Sequence, residues 1–261
     1  MLIRYHSFSD KKVWSVVTIP SEETEGSRRL HRELEVLKAE RTQHVNRIKG
    51  YLAGEGVKLE ITTHFVENLE EMRTWKGNPL PMELKEQVKR EYERWQQVQK
   101  QIKELETERK KQIKESQEKR IEKVRSLIKL KGIGNVSGWI LVMEFFGWRH
   151  FKNRKEVGSL AGLTPTPSQS GESSREKGIS KAGNKYIRGI MIELAWGWLS
   201  HQPNSQLSKW FQERFGNGSK RMRKIGIVAV ARKLLVALWR YLDQEIIPEG
   251  SEFKASQIES K

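Results

Sequence analysis

Ser170, followed directly by a glycine, stands in the stretch TPTPSQSGESSREKGISKAGNKYIRG, residues 164–189, together with Arg175, Lys177, Lys181 and Arg188. Attack on a phosphodiester needs an approachable nucleophile and donors for the charge that develops. A hydroxyl on a glycine-flanked loop, with several cations and a helix start nearby, supplies both. Asn184 is placed to cap the helix that carries Arg188. No His or Asp lies in the stretch to serve as base. The same residues therefore also read as a loop that only contacts phosphate, and spacing by itself favours that plainer role.

Two further groups point to the same kind of ligand. In LIKLKGIGNVSGWILVMEF an apolar segment precedes Gly132-Ile133-Gly134 and an apolar helix follows it. Glycines on both sides of an aliphatic residue allow a tight turn whose amides, with the next helix start, can meet a phosphate. This is the pattern of a helix-hairpin-helix element, the bland alternative being a simple turn between helices. In GSKRMRKIG, the cations Lys220, Arg221, Arg223 and Lys224 precede an apolar helix with no acid between them. Cations at a helix start oppose its dipole, a conflict that an external anion relieves. Such contacts give affinity to a nucleic-acid backbone without reading its sequence.

Charge balance supports an anionic partner. Lys and Arg outnumber Asp and Glu by 49 to 33, for a net charge of +16, and nucleic acid is the first candidate. The absence of cysteine excludes disulfides, thiolate catalysis and Cys-based zinc sites and suits a reducing cytosol. No secretory leader is evident, and the longest apolar run, IGIVAVARKLLVALWRYL, is broken by Arg232 and Lys233, so no membrane partner is expected. Only Asp10 and Asp243 are aspartates, and the glutamates fall mostly on long polar helices, so no two-metal carboxylate set is evident. His6, His31, His44, His64, His150 and His201 share no metal-binding spacing and read as ordinary surface or interface residues.

The elements that must position these groups are mainly α. After a short helical fragment, VWSVVTIP resembles a strand entering a turn. Leu30, Leu34, Leu37, Val45, Ile48 and Leu52 then recur at helical spacing, and beyond GNPLP a second helix carries Val88, Tyr92, Trp95, Ile102 and Leu105 before it dissolves into ERKKQIKESQEKR. The pair predicts a long antiparallel helical hairpin or coiled coil over 26–126, serving as a solvated spacer arm or as a contact between copies. A compact helical domain follows over 127–245, with helices expected near 127–143, 153–161, 185–200, 205–214 and 221–243. Residues 1–25 form a separate leading piece and 246–261 a flexible tail.

The run LKGIGNVSGWILVMEFFGWRHFKNRKEVGSLAGLTPTPSQSGESSREKGISKAGNKYIRGIMIELAW resembles the C-terminal transposase domain of the insertion-sequence 110 family, over about residues 127–243. RRLHRELEVLKAERTQHVNRIKGYL is similar to the helix that opens that family's coiled-coil region. The resemblance rests on the order of four pieces: the GIG hairpin, the GLTP step, the QSG turn and ISKAGNKYIR. It implies a recombinase that moves its own DNA element under a structured bridge RNA. Its RuvC-like domain would bind Mg²⁺ through four acids, and a serine would become covalently joined to DNA.

Ser170 matches that serine, with Ser168, Ser173 and Ser174 as lesser readings. By the same resemblance, residues 1–25 are the edge of the RuvC-like domain and the four acids are missing. The expectation is then a truncated member that is catalytically incomplete by itself, works with a homo-oligomeric partner, and sits in the prokaryotic cytoplasm at the nucleoid. A non-catalytic nucleic-acid-binding remnant, or an inhibitor of intact transposase, is the alternative. A helix-hairpin-helix repair module is a third reading, weakened because GWILVMEFFGW offers no catalytic Lys or Asp.

Overall fold

Ser21 begins the first helix: its Oγ accepts the amide of Thr24 at 3.2 Å, and Glu22, Glu23 and Glu25 complement the dipole of α1, Glu22–Gly54. A computed structural model describes residues 19–58, 60–61, 65–170 and 173–255, with backbone alone for 167–170 and 173–177. The leading helical fragment and most of the expected strand in VWSVVTIP lie outside the described residues.

The chain returns through a short helix, α2 (Phe65–Glu71), and a turn in which the Thr74 amide donates to Asn78 O at 2.7 Å, into α3, Met82–Glu115. α1 and α3 pair antiparallel. Near the base of the arm Leu34 and Leu37 pack on Val98 and Ile102, and near its far end Ile48 and Leu52 pack on Val88 and Tyr92. Tyr92 stacks on Phe65 at 5.0 Å between ring centroids, so α2 closes the far end. The helix expected to dissolve after Leu105 continues to Glu115, because Arg109 and Ile113 are buried and keep the stripe going. His44 is buried too: its Nδ1 lies 2.7 Å from Glu91, which Arg47 and Arg94 also bind. His44 is thus an interior hydrogen-bonding residue of the arm and no ordinary surface side chain.

A second apolar core takes over at the base of the arm. It draws Ile121, Val124 and Leu127 from α4 (Lys119–Lys129), Trp139 from α5 (Asn135–Leu141), Phe145 from the π-helical turn Val142–Phe146 that continues α5, and Val157 from α6 (Arg154–Leu160). Ile187, Met191 and Trp198 of α7 (Lys185–His201), Phe211 of α8 (Gln206–Phe211) and Val230, Leu234 and Leu238 of α9 (Lys220–Gln244) close it. This core begins upstream of Leu127. α8 also ends in a π-helical turn, Gln212–Gly216.

One expectation is overturned locally. The stretch read as a loop holds two antiparallel strands, β1 (Pro165–Ser170) and β2 (Ser173–Ile179), so the second half is not purely helical. The fold as a whole remains mainly α. At the other end, the described part of the expected tail is tied down. The Lys131 amide donates to Glu252 O at 3.1 Å and the Lys254 amide to Lys129 O at 2.8 Å, while Gln202 Nε2 bridges Lys131 O and Glu252 O.

Candidate functional site

The β1–β2 hairpin puts the sequence-predicted residues in a defined order. Ser170 pairs with Ser173, Gln169 with Ser174, and Ser168 with Arg175. Directly opposed residues of an antiparallel ladder share a face, and the face alternates along each strand. Positions 168, 170, 173 and 175 therefore occupy one face, and the register irregularity between Pro165 and Pro167 interrupts the alternation at 177. The serine and the nearest cation of the motif share a side of the hairpin, next to its turn.

The foot of the hairpin is a backbone buckle between Leu160–Thr164 and Ser180–Asn184. Ser180 N donates to Thr164 O at 2.8 Å, Lys181 N to Gly162 O at 3.2 Å, and Asn184 N to Leu160 O at 3.0 Å. The fit demands positive-φ backbone on both sides, supplied in Leu160–Thr164 by Gly162 at φ 68°. Gly183 sits at φ 127°, where an added Cβ would lie 2.3 Å from Leu160 O, and Lys181, a non-glycine, is held at φ 55°. Arg188 secures the latter by donating to Lys181 O at 2.9 Å. Lys181 and Arg188 are thus joined at the foot, with Lys181 exposed and Arg188 half-buried.

Asn184 caps α7 as the sequence suggests: its Oδ1 accepts from Tyr186 N at 2.9 Å and Ile187 N at 3.3 Å. Its Nδ2 donates to Glu144 Oε2 at 3.1 Å. Glu144, only 1% exposed in the π-helical turn, also binds His31 Nε2 at 2.8 Å and Arg32 Nε at 2.8 Å. Burial pushes this carboxyl up, but the hydrogen bonds from His31, Arg32 and Asn184 outweigh it and hold the group at about 2. One buried carboxylate thereby connects the base of the arm to the foot of the serine hairpin. His31, read as an ordinary surface or interface histidine, is 2% exposed and belongs to this cluster. Sequence reasoning missed Glu144. Its signal was a lone carboxylate inside the apolar run WILVMEFF, a position that requires buried partners.

Gly132, Ile133 and Gly134 form the turn between α4 and α5. Gly132 has φ 85° and lies close to α7, where an added Cβ would stand 3.3 Å from the His201 Cβ and 3.6 Å from Gly197 O. Ile133 is buried, and its amide donates to Leu130 O at 3.3 Å. Gly134 caps α5, its amide donating to Ser137 Oγ at 3.0 Å. Two of the three turn amides are therefore engaged internally, and Lys254 Nζ donates to Ile133 O at 2.7 Å. Lys220, Arg221, Arg223 and Lys224 are all exposed in the first turns of α9, whose Ser219 cap accepts Met222 N at 3.4 Å. The structure thus gathers the residues in three places: the hairpin with its foot, the GIG turn, and the start of α9.

No three His, Asp or Glu side chains among the described residues converge to ligate a metal ion. The described donor set does not fit Mg²⁺. No helix among the described residues is long and apolar enough to cross a membrane.

Residues 124–209, which span the GIG turn, Glu144, the serine hairpin and α7, match the profile of the Transposase IS116/IS110/IS902 family. Over these residues the chain is similar to that family's transposase domain. Over 255 residues the chain is 41% identical to the y4rJ transposase of Sinorhizobium fredii, an overlap of 94% of this chain and 64% of that one. It is 23% identical over 225 residues to the transposase for insertion sequence element IS1328 of Yersinia enterocolitica, covering 85% of this chain and 64% of the relative. A family 20 transposase of Pseudomonas aeruginosa is 25% identical over 236 residues, covering 88% and 67%. The chain spans just under two thirds of the length of the first two of these relatives.

Proposed function

We propose that this chain supplies the strand-cleaving and rejoining part of an insertion-sequence transposase. Ser170 Oγ attacks a DNA phosphodiester. The new bond is Ser170 O–P, the bond that breaks joins phosphorus to the departing strand oxygen, and the proton given up by the serine is balanced by one taken up by that oxygen. One phosphodiester replaces another, so rejoining by the reverse step needs no nucleotide cofactor. Arg175 binds the attacked phosphate. Lys177, Lys181 and Arg188, which lie toward the foot of the hairpin at up to roughly 20 Å along the strand, hold flanking backbone together with Lys220, Arg221, Arg223 and Lys224. The joint placement of all four at one phosphate expected from the sequence is thereby corrected. Gly132, Ile133 and Gly134 set the turn that rests against that backbone.

The observation that carries this reading is the strand register. Support comes from the pairing of Ser170 with Ser173 and of Ser168 with Arg175, in a hairpin whose foot is held by Arg188 and Asn184. A nucleophile and a cation on neighbouring positions of one ladder are what the transfer requires. A structured guide RNA, a homo-oligomer joined through the arm, and a cytoplasmic location at the nucleoid complete the proposal. The test is a junction assay: element excision is scored by amplification across the rejoined ends in cells carrying the element with wild-type or Ser170→Ala protein. Junctions should vanish with Ser170→Ala, and junctions at wild-type frequency would refute the assignment of the serine.

A further inference from the structure

Between α6, α8 and α9 lies a groove of about 1220 Å³ that the sequence reading did not assign. Six cations line it: Arg154 and Lys155 from α6, Lys209 from α8, and Arg232, Lys233 and Arg240 from α9. Two carboxylates, Glu213 and Glu249, also border it. Elsewhere in the chain lysines find acids readily, as in Lys38–Glu106 at 2.7 Å and Lys85–Glu70 at 2.8 Å. Among the described residues none of the six groove cations has a carboxylate within ion-pair distance. Gathering unpaired like charges in a concave surface raises the local potential and costs self-repulsion, which a bound polyanion removes.

The lining is ordered. Arg232, Val236 and Arg240 recur at four-residue spacing and so share one face of α9, spreading cations over roughly 12 Å of helix. Half-buried Val236 and Ala237 form the floor between them. The Arg232 stem lies against Gly158, where an added Cβ would be 3.6 Å from its Cγ and Cδ, and Lys233 Nζ sits 4.5 Å from the Trp210 ring centroid. Thr164, on the rim, is the residue from which β1 departs, so the groove opens at the foot of the serine hairpin.

We infer that this groove seats a phosphodiester backbone that continues toward the hairpin, with the six cations as its contacts. The inference rests on the nucleic-acid reading above and adds a distinct site to it. DNA and RNA share the chemistry, and the test separates them. Arg232→Gln/Lys233→Gln/Arg240→Gln protein would be titrated by fluorescence anisotropy into a labelled DNA duplex and, in a second arm, a labelled RNA stem of equal length, over a salt series. Lys209→Gln/Arg240→Gln, at two exposed positions, serves as a milder second variant if the triple variant melts early. Lys100→Gln/Lys103→Gln/Lys110→Gln, on the exposed face of α3, is the charge-matched control.

Affinity at the groove variant should fall at least tenfold in one arm or both, and the slope of log affinity against log salt should become shallower by about 2 to 3. Loss in one arm alone assigns the groove to that nucleic acid. Wild-type affinity and slope in both arms, or an equal loss in the α3 control, overturns the inference while leaving the role of Ser170 standing. Absence of salt-dependent binding by the wild-type chain in both arms would overturn both.

Discussion

Asn184 and Glu144 are locked together at 3.1 Å, and the same asparagine caps α7 through its other side-chain atom. The bond joins the π-helical turn that continues α5 to the foot of the hairpin that carries Ser170. Glu144 also takes hydrogen bonds from His31 and Arg32 of α1, so one carboxylate contacts the arm, α7 and the hairpin foot together.

Replacing Asn184 separates its two roles. Asn184→Ala removes the cap and leaves a buried carboxylate oxygen short of a donor, for a loss of about 2 to 3 kcal/mol. Asn184→Asp keeps a good cap but sets a second anion against Glu144, so it should be no more stable than the alanine variant. Urea unfolding at neutral pH measures both. An aspartate variant as stable as wild type would show that the bond to Glu144 contributes nothing.

Acid should weaken the chain through the buried Glu144 and Glu91. Glu144 and Glu91 are each held at about 2, burial pushing both up and hydrogen bonds to neighbouring His and Arg side chains pulling them down further. A carboxyl with a depressed folded value stabilises fully above its unfolded value of roughly 4.3 and loses that contribution as pH falls toward the folded one. Stability should therefore drop between about pH 4.5 and 2, each group contributing on the order of 2 to 3 kcal/mol. Glu144→Gln should be less stable at pH 7 and show a flatter acid limb. Thermal melts monitored by circular dichroism across this window test both points.

Two glycines should respond in opposite directions to the same substitution. Gly183→Ala meets Leu160 O at 2.3 Å from a backbone with φ 127°, and should destabilise by about 2 kcal/mol or more while disturbing the hairpin foot. Gly189, in the exposed middle of α7, has nothing within 4 Å of an added Cβ. Gly189→Ala should therefore stabilise by about 0.5 to 1 kcal/mol through helix propensity. Paired melting curves decide, and equal shifts would contradict the buckle geometry.

The sequence revealed features whose cause is local. Leu34, Ile48, Val88 and Ile102 announced the two arm helices because helical spacing of apolar residues is what the pairing needs. The apolar run after the GIG turn announced α5, but the helix expected over 127–143 is interrupted at that turn, and α4 starts at Lys119, in a charged stretch read as the dissolving end of the arm. The β1–β2 hairpin was hidden because Pro165 and Pro167 argue against a strand, PTPSQS and SSREKGI contain one threonine and one isoleucine between them, and a register irregularity at the two prolines accommodates them. The Glu144 cluster was hidden for a different reason. His31 and Glu144 are 113 residues apart, and no local pattern ties them. The groove cations were also dispersed over three helices, so no charge run marked them.

The most direct test of the account is covalent trapping at Ser170. The purified chain would be mixed with end-labelled element-end DNA, Mg²⁺ and candidate guide RNA, with and without a longer relative carrying alanine at its own serine, and resolved on a denaturing gel. A shifted protein–DNA band that disappears in Ser170→Ala is the predicted result, and the lane with the relative shows whether a partner is required. Tight DNA binding with no covalent band in either lane would contradict the account and leave a chain that binds nucleic acid without cutting it.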